Sequence, residues 1–219
     1  MKIDILTLFP KSIEGFLNES IIKKALENKL VEINLINFRE YSKLSNNQVD
    51  DTPYGGGSGM VLRCEPIFDA IDDLKKDDTK IIMLTPDGKT YNQKTATYFK
   101  DLKHIILLCG HYEGFDERIK TLVDYEVSLG DYILTGGELG AAIITDSIIR
   151  LLPGVINKGS LISESFNDDL LDYPTYTKPS EYRGMKVPEV LLSGNHKLIR
   201  EWREEQRIKK TKEKRPDLI

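Results

Sequence analysis

Residues 105–150 read IILLCGHYEGFDERIKTLVDYEVSLGDYILTGGELGAAIITDSIIR, and their pattern decides the fold. The run Ile105-Ile106-Leu107-Leu108-Cys109 is apolar at every position, as a strand covered on both faces must be, and it breaks into Gly110-His111-Tyr112-Glu113-Gly114. Val127-Ser128-Leu129 repeats the arrangement, breaking at Gly130 and running through Gly136-Gly137-Glu138 into a long apolar helix. Strand, glycine turn, helix is the grammar of open α/β sheets, whose ligands sit beyond the carboxyl ends of the strands. Glycine is required where a backbone takes positive φ or comes close to a ligand. Either loop alone is compatible with a tight turn and nothing more. Two in one short span point to a ligand site.

Outward from this stretch the same alternation continues. Residues 2–9 alternate Ile3, Ile5 and Leu8 with other residues and stop at Pro10; Ile13, Phe16, Leu17, Ile21, Ile22, Ala25 and Leu26 recur at helical spacing; residues 31–36 resume a period of two. This predicts β-α-β. A dinucleotide enzyme or class I methyltransferase would carry Gly-x-Gly after the first strand, where Leu8-Phe9-Pro10-Lys11 stands, so that fingerprint is absent. Residues 80–85 predict a buried strand ending in the turn Pro86-Asp87-Gly88-Lys89-Thr90, a third strand-end loop. Gly88-Lys89-Thr90 resembles the end of a P-loop, but Met83 occupies the position of its first glycine, which excludes that motif. Helices are expected at 65–74 and 93–102. Residues 39–63 have no apolar periodicity, and their centre reads VDDTPYGGGSGM (49–60). Loops of that length are functional or disordered, and paired aspartates with Pro-Tyr beside four glycines favour function.

A chain of 219 residues can hold one sizeable core and a small appendage. No apolar run approaches the roughly 20 residues that span a bilayer. The amino terminus MKIDILTLFP is too short and too acidic for a signal peptide, so a cytosolic protein is expected. Cys64 and Cys109 have no metal or disulfide spacing. The net charge of −4 is unevenly spread: residues 178–219 hold 12 Lys and Arg against 7 Asp and Glu, while residues 1–177 hold 19 against 28. An acidic body with a basic tail is compatible with a nucleic-acid contact or a solvated helix face. Residues 153–182 have linker texture. After them Ser193-Gly194-Asn195 is expected to cap a helix from about 196 to 210, with Arg200, Arg203, Arg207 and Lys210 on one face, toward phosphates or solvent.

Several single residues invite a chemical reading. Cys109 and His111 suggest a nucleophile pair, but a small residue finishing a buried strand is the better account, since nothing nearby in sequence orients a thiolate. Arg150 ends an apolar helix, where the dipole favours a cation in any case. Glu113, Asp116 and Glu117 could supply oxygen ligands to magnesium, although acids are common where a helix opens, as at Asp116 and Glu117.

Taken together, PYGGGSGM (53–60), CGHYEGFDER (109–118), SLGDYILTGGEL (128–139), RLLPGV (150–155), ESFNDDLLDYPTYTKP (164–179) and LLSGNH (191–196) closely resemble the bacterial tRNA (guanine-37-N1)-methyltransferases of the SPOUT superfamily. The resemblance implies an S-adenosylmethionine-dependent, homodimeric enzyme acting on tRNA with guanosine at position 37. It implies an α/β fold with a parallel sheet and a deep carboxyl-side trefoil knot, plus a small helical carboxyl-terminal domain. The domains would be a cofactor-binding knotted domain at 1–158, a flexible linker at 159–180 and a tRNA-binding domain at 181–219. Another SPOUT RNA methyltransferase, or a non-catalytic tRNA-binding homologue, is the alternative reading.

By the same resemblance, the cofactor is held by Leu84, Thr85, Pro86 and Gly88, by Cys109, Gly110, Tyr112, Glu113 and Gly114, and by Leu129, Gly130, Tyr132, Ile133, Leu134, Gly136, Gly137 and Gly140. Asp50, Tyr54, Gly55, Gly57, Gly59, Ser193 and His196 fall on substrate-binding positions, and a magnesium site would lie near Glu113. Guanine N1 carries a proton, so its methylation needs a base and a cation to offset charge on O6; the resemblance gives these roles to Glu164 and Arg150, with nearby Asp168, Asp169 and Asp172 as weaker candidates for the base. The chain departs from the family pattern in having Glu164 for the usual aspartate, Gly140 for a proline and Lys178 for an arginine. The span 150–165 is about one residue short, and the chain ends soon after residues 215–218, where many relatives continue.

Overall fold

The computed structural model describes residues 1–157, 159, 161 and 164–219. Two compact units are present, Met1–Ile156 and Asn157–Ile219. The expected domain boundary at residue 158 lies outside the described residues.

The first unit is built on a five-stranded sheet in the order β2-β1-β6-β5-β7, from β1 (Lys2–Thr7), β2 (Glu32–Asn37), β5 (Thr79–Thr90), β6 (His104–Leu108) and β7 (Tyr125–Ser128). Every neighbouring pair is parallel. The continuous apolar runs in β5 and β6 follow from this, because helices cover both faces. Ile3, Ile5, Ile82, Ile105 and Leu107 pack on one face with Ile13, Ile22, Phe99, Ile144 and Ile148. Those partners come from α1 (Lys11–Leu17), α2 (Ser20–Glu27), α4 (Gln93–Phe99) and α5 (Glu138–Ile149). Leu6, Ile81, Met83, Ile106 and Leu108 pack on the other face with Ile67, Ala70 and Ile71 of α3 (Cys64–Leu74), and with Phe38 and Ile119.

Four expectations need correction. The helical run 13–26 is two helices, broken where Ser20 takes φ 53°. Residues 86–90 are not a loop but a continuation of β5, with a register shift between Leu84 and Lys89 opposite Val127. Gly88 makes this possible, since a Cβ there would lie 2.3 Å from Val127 N. The region 39–63 contains a short hairpin, β3 (Asp50–Asp51) against β4 (Val61–Leu62), strapped by Arg63 to Asp51 at 2.9 Å. Strands of two residues carry too few side chains for periodicity to register.

The fourth correction concerns the second unit. Its hairpin Glu181–Tyr182/Met185–Lys186 turns through Arg183 and Gly184, both at positive φ as a tight I′ turn demands. Its long helix His196–Lys214 starts at Asn195, whose side chain accepts from the backbone N–H of Lys197 and Leu198. Only part of the predicted basic face looks outward. Arg207 is buried and paired with Asp168, Lys210 donates to the Asp172 carbonyl at 2.9 Å, and Arg203 lies 4.6 Å over the Tyr173 ring. Residues 165–173, read from sequence as linker, are the partners.

Candidate cofactor and catalytic site

The switch point of the sheet lies between β1 and β6: from β1 the chain continues to β2 on one side, and from β6 it continues past β5 to β7 on the other. Diverging connections leave a crevice beyond the carboxyl ends of these strands, and the glycine loops collect there. Thr7, the last residue of β1, accepts from Phe9 N at 2.9 Å and donates to Glu138 Oε1 at 2.5 Å. His111, two residues beyond Cys109, donates from Nε2 to Glu138 at 2.7 to 2.8 Å. Its ring meets the Phe9 ring edge-on, with centroids 4.7 Å apart. Glu138 opens α5 and is buried. A buried carboxylate is tolerated when donors surround it and a helix amino terminus lies behind it. One carboxylate thus ties together the end of β1, the loop after β6 and the start of α5.

Glycine lets these elements close. Gly137 N donates to the Gly110 carbonyl at 2.9 Å, and a Cβ on Gly137 would lie 2.7 Å from Cys109 Cα. A Cβ on Gly136 would strike His111 Nε2 at 2.4 Å. Leu84 and Leu129 converge on Gly140, 3.2 to 3.4 Å from where its Cβ would stand, so segments from β5, the loop after β7 and α5 share one apolar wall. The loop 53–60 joins the same edge. Glu113 N donates to Met60 O at 3.0 Å, Leu62 N to Gly114 O at 2.9 Å, and the Glu113 carboxylate fills the space a side chain on Gly59 would need.

The predicted residues therefore divide. Leu84, Cys109, Gly110, Glu113, Gly114, Leu129, Gly136, Gly137, Gly140 and Gly59 are brought to one edge of the sheet. Gly110 adjoins the Phe115 ring, and Gly130 the Tyr132 ring. Thr85, Pro86 and Gly88 sit in the bulged part of β5 instead of a loop. Tyr112, Tyr132, Ile133 and Leu134 stand exposed, and Tyr54, on the loop with Gly55 and Gly57, is fully so. Asp50 lies in the β3–β4 hairpin. Arg150 is the C-cap of α5, and Glu164 belongs to the second unit, as do Ser193 and His196 beside the cap of the long helix. The Ser193 hydroxyl serves that cap, donating to Val190 O and accepting from Asn195 N.

No nucleophile pair forms at Cys109. Burial, helped by the Glu138 carboxylate, pushes its thiol well above the ordinary range, and the His111 nitrogen is spent on Glu138. The acids considered for magnesium are dispersed. Asp116 binds Arg118 at 2.6 Å, which holds its carboxyl below the usual range; Glu117 binds Lys120 at 3.1 Å. Among the described residues no group of three His, Cys, Asp or Glu is placed to hold a metal ion. Sequence reasoning missed Thr7 and the fastening role of Glu138. The available signal was a lone carboxylate after Gly-Gly at the head of an otherwise apolar helix.

Comparison with known proteins matches the whole chain, residues 1–219, to the family described as tRNA (Guanine-1)-methyltransferase TrmD. The chain belongs to the tRNA (guanine-1)-methyltransferase family. A relative from Malacoplasma penetrans, named tRNA (guanine-N(1)-)-methyltransferase, is 61% identical over 219 residues, covering 100% of this chain and 97% of the relative. Proteins of the same name from Staphylococcus epidermidis and Mycoplasma capricolum are each 54% identical, covering 100% of this chain and 91% and 92% of theirs. Membership in the tRNA (guanine-1)-methyltransferase family implies a methyl donor. The gathered edge suits one: glycine-loop backbone offers hydrogen-bonding groups, and Leu84 and Leu129 offer an apolar wall. No described helix is long and apolar enough to cross a membrane.

Proposed function

We propose that this chain transfers a methyl group from S-adenosylmethionine to N1 of the guanosine at position 37 of tRNA. The observation that carries the reading is the Thr7–Glu138–His111 tie, which gathers glycine loops at the switch point in a chain that matches the tRNA (guanine-1)-methyltransferase family over its full length. The donor, when bound, supplies an electrophilic methyl group. Loops 84–88, 109–114 and 129–140 hold it, in a trefoil-knotted arrangement of the SPOUT kind. Leu84, Leu129 and Leu134 exclude water, while glycine backbone orients it. The loop 50–59, with Asp50 and Tyr54, meets the target base.

Two side chains do the proton and charge work. Glu164 removes the N1 proton, and Arg150 offsets the negative charge that gathers on O6 as that proton leaves. The domain reading follows: a cofactor domain at 1–158, a linker with the base at 159–180 and a tRNA-binding domain at 181–219, with Ser193 and His196 facing RNA. A homodimer is part of the proposal. Ile133, Leu139 and Ile143 are 80%, 62% and 48% exposed on one stretch at the head of α5, a patch suited to a second copy. A tRNA substrate puts the work in the cytoplasm.

The test is to incubate the purified protein with methyl-labelled S-adenosylmethionine and a tRNA transcript, and to analyse nucleosides by mass spectrometry. Label is expected in 1-methylguanosine and is expected to vanish when guanosine 37 is replaced by adenosine. Label persisting in that variant, or appearing on a ribose, would overturn the reading.

A further inference from the structure

Residues 165–173 are fastened to the long helix by side chains. Arg207 Nη2 donates to the Asp168 carboxylate and Nη1 to Glu204 Oε2 at 3.2 Å. Thr211 Oγ1, itself donating to Arg207 O, accepts from Leu171 N at 2.9 Å. Arg203 and Arg215 lie over the Tyr173 and Phe166 rings, and Lys210 holds the Asp172 carbonyl. Arg207 is the buried member, 8% exposed, and its Nε has no hydrogen-bond partner among the described residues. A buried unpaired donor is costly, and it is tolerated where stronger contacts fix the rest of the group. Burial also removes Arg207 from service as a phosphate contact.

The turn it holds is strained. Phe166 and Asp169 take φ 71° and 63°, which a non-glycine residue keeps only when its surroundings impose it. The turn starts at the candidate base, since Asn167 N donates to the Glu164 carbonyl at 3.4 Å and Phe166 N to Leu170 O at 2.8 Å. A carboxylate on a free linker would visit many positions; one at the head of a fastened turn visits few.

We propose that Arg207 is a positioning residue for methyl transfer, its ion pair with Asp168 fixing the turn that begins at Glu164 and so setting where that carboxylate stands. The proposal rests on the reading of Glu164 as the base. A displacement of about 1 Å costs on the order of 100-fold in rate, which sets the size of the effect.

The experiment compares Asp168→Asn, Arg207→Met, Arg207→Lys and the double variant in full-length protein. It measures single-turnover methylation at saturating donor and tRNA, donor affinity by calorimetry and tRNA affinity by filter binding. Asp168→Asn and Arg207→Met are expected to slow transfer about 10- to 100-fold with both affinities unchanged. Arg207→Lys should recover part of the rate, and the double variant should be no slower than the slower single, because the two share one interaction. The Asp168 side chain is half-exposed, so Asp168→Asn tests the idea even if Arg207→Met fails to fold. Wild-type transfer by Asp168→Asn overturns the proposal, as does a loss confined to tRNA affinity. Glu164→Gln in the same assay keeps the two readings apart. Full rate there removes the base assignment, whereas a slow Glu164→Gln beside a fast Asp168→Asn keeps the base and removes the positioning role.

Discussion

The two units secure functional residues by opposite means. In the first, glycine lets backbone approach backbone, as at Gly137 and Cys109, and a single buried carboxylate fastens the result. In the second, a segment without regular structure is laid along a helix and held by long cationic side chains. Contact through backbone leaves no slack, which suits holding a cofactor in one shape. Contact through arginine and lysine fixes an irregular segment at a few points of its length, which suits a segment that must present one side chain to a large substrate.

This contrast can be broken by substitution. The largest expected effect is Glu164→Gln, which should slow methyl transfer on the order of 100-fold or more, the usual scale for a lost general base, while donor affinity stays at the wild-type value. Gly137→Val should reverse the pattern. Its side chain would press on Cys109 backbone, and overpacking of on the order of 3 kcal/mol corresponds, at about 1.4 kcal/mol per tenfold, to on the order of 100-fold weaker donor binding by calorimetry. Both effects falling on donor affinity would erase the distinction between the units.

Glu138→Ala should sharpen it. Thr7 and His111 would lose their buried acceptor, at a cost of about 1–3 kcal/mol visible in thermal melting, and donor binding should weaken with it. The smallest effect is one of pH. Arg207 lowers the Asp168 pKa below its unfolded value. The resulting stability is therefore present above the unfolded value of about 4 and is lost as pH falls through the folded one. Hydrogen-exchange protection in residues 165–173, taken relative to the intrinsic rate at each pH, should fall below about pH 4, with less change around Gly137. Equal loss of protection in both regions would count against the assignment.

Much of this was legible in residues alone. The continuous apolar runs of β5 and β6 announce a sheet covered on both faces, and Asn195 announces the long helix. Pro86-Asp87-Gly88 misleads because its composition is that of a turn, whereas the bulge depends on the backbone of Val127 lying alongside. The charge pattern of the long helix places Arg203, Arg207 and Lys210 together but cannot reveal that residues 165–173 return to meet them. The fastening of the pocket was hidden for a related reason: Thr7 and Glu138 are 131 positions apart, and nothing around either residue points to the other.

That separation has a consequence for how the protein comes into being. A growing chain that has emerged only through residue 114 already owns the loops 53–60 and 109–114, yet it lacks the carboxylate that joins them to the first strand. Contacts so distant in sequence form late in folding, so the proposed methyl-donor pocket is expected to appear only when the head of α5 docks. Partly made copies would then leave the donor alone.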